Sequence, residues 1–238
     1  MDYKNKFISD SIRNSFKFTP TEDQNELIEK LGNFLSEIEQ DDIFVIKGYA
    51  GTGKTSVISS LIKILPTINK QSVLLAPTGR AAKVLSEYSE KRAYTIHKKI
   101  YRIKTTKDGF TYLTLETNKH KNTIFIVDEA SMIPDSSSGN ESSMFSGRNL
   151  LDDLFYYIND GINCNLILIG DTAQLPPVGL PISPALDLHY LKTSYKVNIF
   201  SHELTQVVRQ AEESGILKNA TALRVKINSE NYKPPFFN

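Results

Sequence analysis

Residues 43 to 55 read IFVIKGYAGTGKT, and SVISSLIKIL follows. Four branched or aromatic apolar residues run directly into a glycine-rich loop, and apolar residues at helical spacing come after it. A strand that feeds Gly-x-x-x-x-Gly-Lys-Thr and then a helix is a P-loop arrangement. The glycines let the backbone wrap closely around phosphate oxygens. The loop N–H groups and the helix N-terminus donate to those oxygens, and Lys54 reaches the β and γ phosphates. Gly48, Ala50, Gly51, Thr52, Gly53, Lys54 and Thr55 are therefore expected to bind a nucleotide, with Thr55 a ligand for Mg²⁺.

The same alternation recurs along the chain. Short apolar runs at 43–46 (IFVI), 73–76 (VLLA), 124–127 (IFIV) and 166–169 (LILI) are separated by segments of helical periodicity. Continuously apolar strands between helices predict an α/β fold, a parallel sheet covered on both faces. Before the first strand, Thr19-Pro20-Thr21-Glu22 reads as a helix start, with Thr19 as N-cap, Pro20 at the first helical position and Glu22 closing a capping box. Leu27, Ile28, Leu31, Phe34, Leu35 and Ile38 then repeat as one helix face. Residues 100–117, IYRIKTTKDGFTYLTLET, alternate apolar and polar on either side of Lys107-Asp108-Gly109 and predict an inserted β-hairpin. Residues 134–149 are rich in Ser and Gly and predict a mobile loop before the helix that begins LLDDLFYYI.

A P-loop needs a carboxylate at the end of a neighbouring strand, and IFIVDEAS supplies Asp128 and Glu129. Asp128 is placed to anchor Mg²⁺. Glu129 is placed to orient and deprotonate an attacking water, so the nucleotide is expected to be hydrolysed.

Composition closes several other routes. The net charge is +1, so any nucleic-acid surface has to be local. Cys164 is the only cysteine, and His97, His120, His189 and His202 show no metal-ligand spacing with it or with each other. The N-terminus lacks an apolar signal core and no run of about 18 apolar residues occurs, so a cytoplasmic protein with no membrane span is expected. The basic surface lies in residues 78–107, which hold nine Lys or Arg against Glu87 and Glu90. Pro77-Thr78-Gly79-Arg80 opens a helix after a strand, so its amides and hydroxyl suit a DNA phosphate. Tyr88, Tyr94 and Tyr101 offer stacking surfaces, although core or rim packing is the commoner fate of such rings.

The segments FTPTEDQ (18–24), GYAGTGKT (48–55), LLAPTGRAAKVLSE (74–87), TIHK (95–98), IFIVDEASMI (124–133), LILIGDTAQLPPVG (166–179) and ELTQVVRQ (203–210) occur in this order. Together they resemble the first motor domain of superfamily 1 DNA helicases, in the RecD-like branch that includes the Dda type. The resemblance implies a RecA-like ATPase domain over residues 19–210 with the hairpin as its insertion, preceded by an extension over 1–18. It implies ATP and Mg²⁺ as cofactors and single-stranded DNA as partner, along with recombination or repair proteins. It assigns Gln24 to adenine, the alternative being a solvated helix position. It also assigns Gln174 to the γ-phosphate and its link to DNA, and Arg209 to charge developing on that phosphate, against a structural ion pair. Thr78, Gly79, Arg80, Thr95 and His97 become DNA contacts, and the hairpin lies where strands are separated, with Phe110 or Tyr112 near its tip.

Residues 210–238 are too few for a second lobe of about 100 residues. The tail 211–238, with a helix predicted from Ser214, is read as the start of a truncated second motor domain or as a tail. The parent protein is expected to move 5′ to 3′, and this chain to lack unwinding of its own. The competing readings are an ATP-regulated single-strand-binding module without motor activity and a P-loop ATPase that remodels proteins, the latter disfavoured by GDTAQLPP and the basic patch.

Overall fold

The computed structural model describes residues 3–109, 111–133, 149–171, 173–174 and 183–208. Its strands are β1 (Asp42–Gly48), β2 (Gln71–Ala76), β3 (Ala93–Thr95), β4 (Tyr101–Thr105), β5 (Thr111–Leu115), β6 (Lys121–Val127), β7 (Ile162–Gly170) and β8 (Asn198–Leu204). The α-helices are α1 (Tyr3–Asn14), α2 (Glu22–Ser36), α3 (Lys54–Ile64), α4 (Gly79–Ser89), α5 (Ile96–Ile100), α6 (Leu150–Asn159) and α7 (Leu188–Tyr195). Six strands form one parallel sheet in the order β3-β2-β6-β7-β1-β8. All four apolar runs are central strands of that sheet, as their composition predicts.

Those runs are continuously apolar because successive side chains serve two different cores. Ile43, Val45, Phe125, Val127, Leu166 and Leu168 point to one face, where α5, α6 and α7 cover them. Phe44, Ile46, Ile124, Ile126, Ile167 and Ile169 point to the other, covered by α1, α2, α3 and α4. Phe44 is fully buried and meets Phe34 of α2 edge to face at 5.4 Å. Truncating it to Ala would cost about 3–5 kcal/mol through reduced burial and the cavity left behind.

Residues of the N-terminal segment join the second core. Ile8 and Ile12 of α1 are fully buried beside α2. Asn5 and Ser9 approach the α2 backbone so closely at Gly32 that a Cβ there would strike both side chains.

The helix start differs from the sequence expectation. Thr21, not Thr19, is the N-cap of α2; its hydroxyl accepts from Gln24 N–H at 3.3 Å, and Gln24 Oε1 accepts from Thr21 N–H at 3.0 Å. Both threonines have an acid or amide three residues on, so local pattern does not separate them. Gln24 wins because its remaining amide group also reaches the P-loop, which Glu22 does not. The hairpin forms as expected, β4 against β5, with Tyr101 opposite Leu115 and Thr105 opposite Thr111. Tyr101, Leu113 and Leu115 dock its base on the first core, while Ile103 and Tyr112 are exposed. Asn149 caps α6, accepting from Leu151 N–H at 3.0 Å. The loop expected over 134–149 otherwise lies outside the described residues, as do Phe110, Arg209 and the tail 211–238.

Candidate functional site

The carboxyl ends of β1, β7 and β6 lie side by side, and the loops leaving them enclose a cleft of about 360 Å³. Tyr49, Ala50, Gly51, Gly53, Lys54 and Thr55 line it from the β1 side, Asp128 and Glu129 from β6, and Gly170, Asp171 and Gln174 from β7. Gly53 takes φ +86°, left-handed backbone that suits glycine, and turns the chain into α3. No side chain caps that helix, which leaves its first N–H groups to face the cleft. Thr52 is buried; its hydroxyl donates to Tyr49 C=O at 2.8 Å and its own carbonyl accepts from Gln24 Nε2 at 2.9 Å. Lys54 Nζ lies on the loop's own carbonyls, Gly48 at 2.6 Å and Tyr49 at 2.9 Å.

The acidic wall is as closely tied. Asp128 Oδ1 accepts from Glu129 N–H at 3.0 Å and Oδ2 accepts from the Tyr88 hydroxyl at 2.6 Å. Glu129 sits at φ +55°, an uncommon conformation for a residue with a Cβ and a form of strain concentrated at functional sites. Burial, and then the neighbouring Asp128, push its carboxyl above the usual range, while Gln174 and Lys54 act in the opposite sense. Gln174 bonds to Glu129 and accepts from Ser131 Oγ at 3.1 Å, so the amide bridges the ends of β6 and β7. Thr55 and Asp128 offer hard oxygen donors of the kind Mg²⁺ takes. Both line the cleft beside the Tyr88 hydroxyl, which donates to Asp128 Oδ2.

Gln24 is buried, in contrast to the solvated alternative, and both ends of its amide are engaged within the protein. The segment after β8 crosses the P-loop, where Val208 N–H donates to Gly51 C=O at 3.1 Å. Asp23 secures that segment, its Oδ2 accepting from Thr205 N–H at 2.6 Å and Gln206 N–H at 3.1 Å. Its Oδ1 lies 2.9 Å from His202 Nε2. Burial alone would raise the Asp23 carboxyl, but the Gln206 and Thr205 amides and His202 together hold it below its usual value.

The residues expected at DNA divide into two groups. Thr95 N-caps α5, accepting from Lys98 N–H at 3.2 Å, and His97 follows half-buried, its ring 5.8 Å from that of Tyr101. Both line a cleft of about 770 Å³ under the hairpin, with Tyr94, Lys98, Lys99 and Arg102. Burial lowers the pKa of His97. Thr78 N-caps α4, accepting from Ala81 N–H at 3.2 Å, with Gly79 and Arg80 exposed beside it, outside the lining of that cleft. Arg92 lies 5.0 Å and Lys99 5.8 Å from the Tyr94 ring centre.

The chain matches the AAA domain family over residues 34–180, more than half of its length. It belongs to that family. Among curated relatives, the AAA domain is 29% identical over 217 residues to the ATP-dependent RecD2 DNA helicase of Deinococcus radiodurans, covering 90% of this chain and 26% of that protein. It is 32% identical over 186 residues to the ATP-dependent DNA helicase dda of Enterobacteria phage T4, covering 75% of this chain and 37% of that one. The chain thus spans only about a quarter to about a third of these relatives. The Pif1 helicase from Bacteroides, solved with ADP-AlF3 and ssDNA, shares the fold at TM-score 0.51 and 19% identity, over 91% of this chain and 48% of that one. The Candida albicans Pif1 helicase aligns at TM-score 0.52 and 21% identity, over 87% of this chain and 44% of that one. These likenesses bear out the resemblance to a RecD-like first motor domain.

Of the three tyrosines in the basic stretch, Tyr94 and Tyr101 line the basic cleft and Tyr88 does not. Tyr88 belongs to the nucleotide cleft, and Tyr101 is buried with its hydroxyl on Asp153 Oδ2 at 2.5 Å. A signal was present for the burial of Tyr88, though not for its partner, since Ala82, Leu85 and Ser89 trace the buried face of α4 and Tyr88 shares it. Asp171 has no such signal in the sequence; it is buried, and its Oδ1 accepts from Ala173 N–H at 2.8 Å, fixing the turn that presents Gln174. No helix among the described residues is long and apolar enough to cross a membrane.

Proposed function

We propose that this AAA domain binds and hydrolyses ATP with Mg²⁺ and couples the cycle to single-stranded DNA, as a motor domain of a DNA helicase. The observation that carries this reading is the convergence of Glu129 and Gln174 across the P-loop cleft, bridged to each other and faced by Lys54. Lys54, with the amides of Gly48, Ala50, Gly51, Thr52 and Gly53, holds the phosphates. Mg²⁺ bound by Thr55 and Asp128 supplies charge neutralisation on the phosphates. Glu129 takes the proton of the attacking water. Gln174 senses the γ-phosphate, Arg209 stabilises its developing charge, and Gln24, on giving up its bonds to Thr21 and Thr52, contacts adenine.

Single-stranded DNA runs across Thr78, Gly79, Arg80, Thr95 and His97 and the basic cleft beneath the hairpin. We infer 5′ to 3′ movement of the parent protein, in the cytoplasm and alongside recombination or repair proteins. Stepping requires a second lobe to open and close against this one. The test is phosphate release stimulated by single-stranded DNA in the full-length protein, with and without Glu129→Gln. We expect a loss on the order of 10²- to 10⁴-fold with ATP binding retained. Unchanged release would remove Glu129 from the role of base. DNA binding that responds to ATP without any release in the wild type would favour the regulated binding module.

A further inference from the structure

Tyr88 also lines the nucleotide cleft and has no task in this scheme. Tyr88 stands near the C-terminal end of α4, its ring against the second core and its carbonyl accepting from Ser59 Oγ at 3.2 Å. Its hydroxyl donates its one proton to Asp128 Oδ2 at 2.6 Å and lies beside the Thr55 side chain, from which it can only accept. These are the two residues assigned above to Mg²⁺. Asp128 Oδ1 accepts from Glu129 N–H, so each oxygen of that carboxylate already carries one hydrogen bond. Burial, and then the Asp128 charge, push the Tyr88 pKa far up, so the group stays a proton donor.

A hydroxyl that bonds a metal-holding carboxylate can act in two ways. It can orient the carboxylate from behind, or it can compete for the lone pairs that the ion and its water shell would use. The position here favours competition, because a supporting group would stand behind Asp128, whereas Tyr88 lines the nucleotide cleft itself beside Thr55 and Asp128. The surroundings also leave it somewhere to go. Thr55 and Tyr88 line a second cavity of about 260 Å³ on their other side, with Lys17, Ser56, Ser59 and Lys63 among its walls.

We propose that Tyr88 is a plug on the metal site: its hydroxyl competes with Mg²⁺ for the Asp128 carboxylate beside Thr55, and withdraws toward the neighbouring polar cavity when Asp128 takes the ion. The proposal rests on the assignment of Thr55 and Asp128 to Mg²⁺ made above. The experiment compares this chain with its Tyr88→Phe variant, which keeps the ring and deletes the hydroxyl. Affinity for a fluorescent ADP analogue is measured in chelator and then across a Mg²⁺ titration, with urea unfolding as a check on folding.

The plug predicts equal affinity without metal and a Mg²⁺ midpoint lowered on the order of tenfold in the variant, the size expected for one hydrogen bond to a charged group. Tyr88→Leu should move the midpoint in the same direction, which keeps the test open if one variant folds poorly. A midpoint that stays put or rises in both variants overturns the plug and leaves the nucleotide site standing. A wild-type chain that binds no nucleotide at any Mg²⁺ concentration overturns the ATP reading and the plug with it.

Discussion

In the nucleotide cleft each polar group rests on another: Lys54 on the loop carbonyls, Asp128 on Tyr88 and the Glu129 amide, Gln174 on Ser131. In the basic cleft under the hairpin, Lys98 and Arg102 are exposed and the Tyr94 ring gathers Arg92 and Lys99. The first arrangement fixes a few atoms for a small ligand of defined shape, where misplacement by an ångström is costly. The second presents charge and ring faces to a long, variable polyanion, where sequence-tolerant contacts are enough. The nucleotide side should therefore respond sharply to single substitutions and the DNA side gradually.

The largest expected effect tests the sharp side. Lys54→Ala removes the only lysine lining the P-loop cleft among the described residues. Loss of a charged donor to phosphate should weaken Mg·ATP binding by about 3 kcal/mol or more, roughly a hundredfold. Titration with a fluorescent ATP analogue reads it, and a loss below about fivefold would mean that the cleft is less specialised for phosphate than its geometry implies.

The second prediction separates groups that hold the fold from groups held in reserve for a ligand. Asp23→Asn leaves Thr205 and Gln206 with a weaker acceptor and should destabilise the protein by about 1–3 kcal/mol in urea unfolding. Folding lowers the pKa of Asp23, so the carboxylate's contribution is complete above its unfolded value near pH 4 and is lost as the pH falls through the folded value. The stability gap between wild type and Asp23→Asn should accordingly narrow in acid. A gap that widens there would place the stabilisation elsewhere.

What the sequence reveals follows the same division. The strands, the P-loop, the Asp128-Glu129 pair and the hairpin are legible because each is written in consecutive residues whose period or spacing has one physical meaning. Thr21 and Tyr88 are not, since their roles depend on residues far along the chain. Thr19 and Thr21 carry equivalent capping patterns, and the choice is made by Thr52, reached through Gln24. Tyr88 looks like one more ring in a basic stretch until β6 brings Asp128 to its hydroxyl, 40 positions away. Tyr101 is similar, its partner Asp153 lying on α6. A tyrosine has an apolar body and a polar tip, so its type alone does not choose between core, site and surface.

The smallest expected effect concerns the gradual side. Lys98 and Arg80 are exposed, the first lining the basic cleft and the second beside the α4 cap. If they serve as phosphate ligands, Lys98→Ala and Arg80→Ala should each weaken oligo-dT binding only a few-fold at moderate salt. Each should also flatten the dependence of log K on log salt by about 0.7, the single-strand value for one phosphate that the protein no longer neutralises. Folding stability should change by no more than about 0.5 kcal/mol, because an exposed side chain that makes no cap bond of its own and packs in no core contributes little to it. The salt slope is the discriminating number: a residue that merely shapes the cleft would change affinity without changing the slope, whereas a cation paired with a phosphate must change both. A single substitution here that abolished DNA binding outright would break the contrast, since it would show the basic cleft to be as dependent on individual groups as the site that holds the nucleotide.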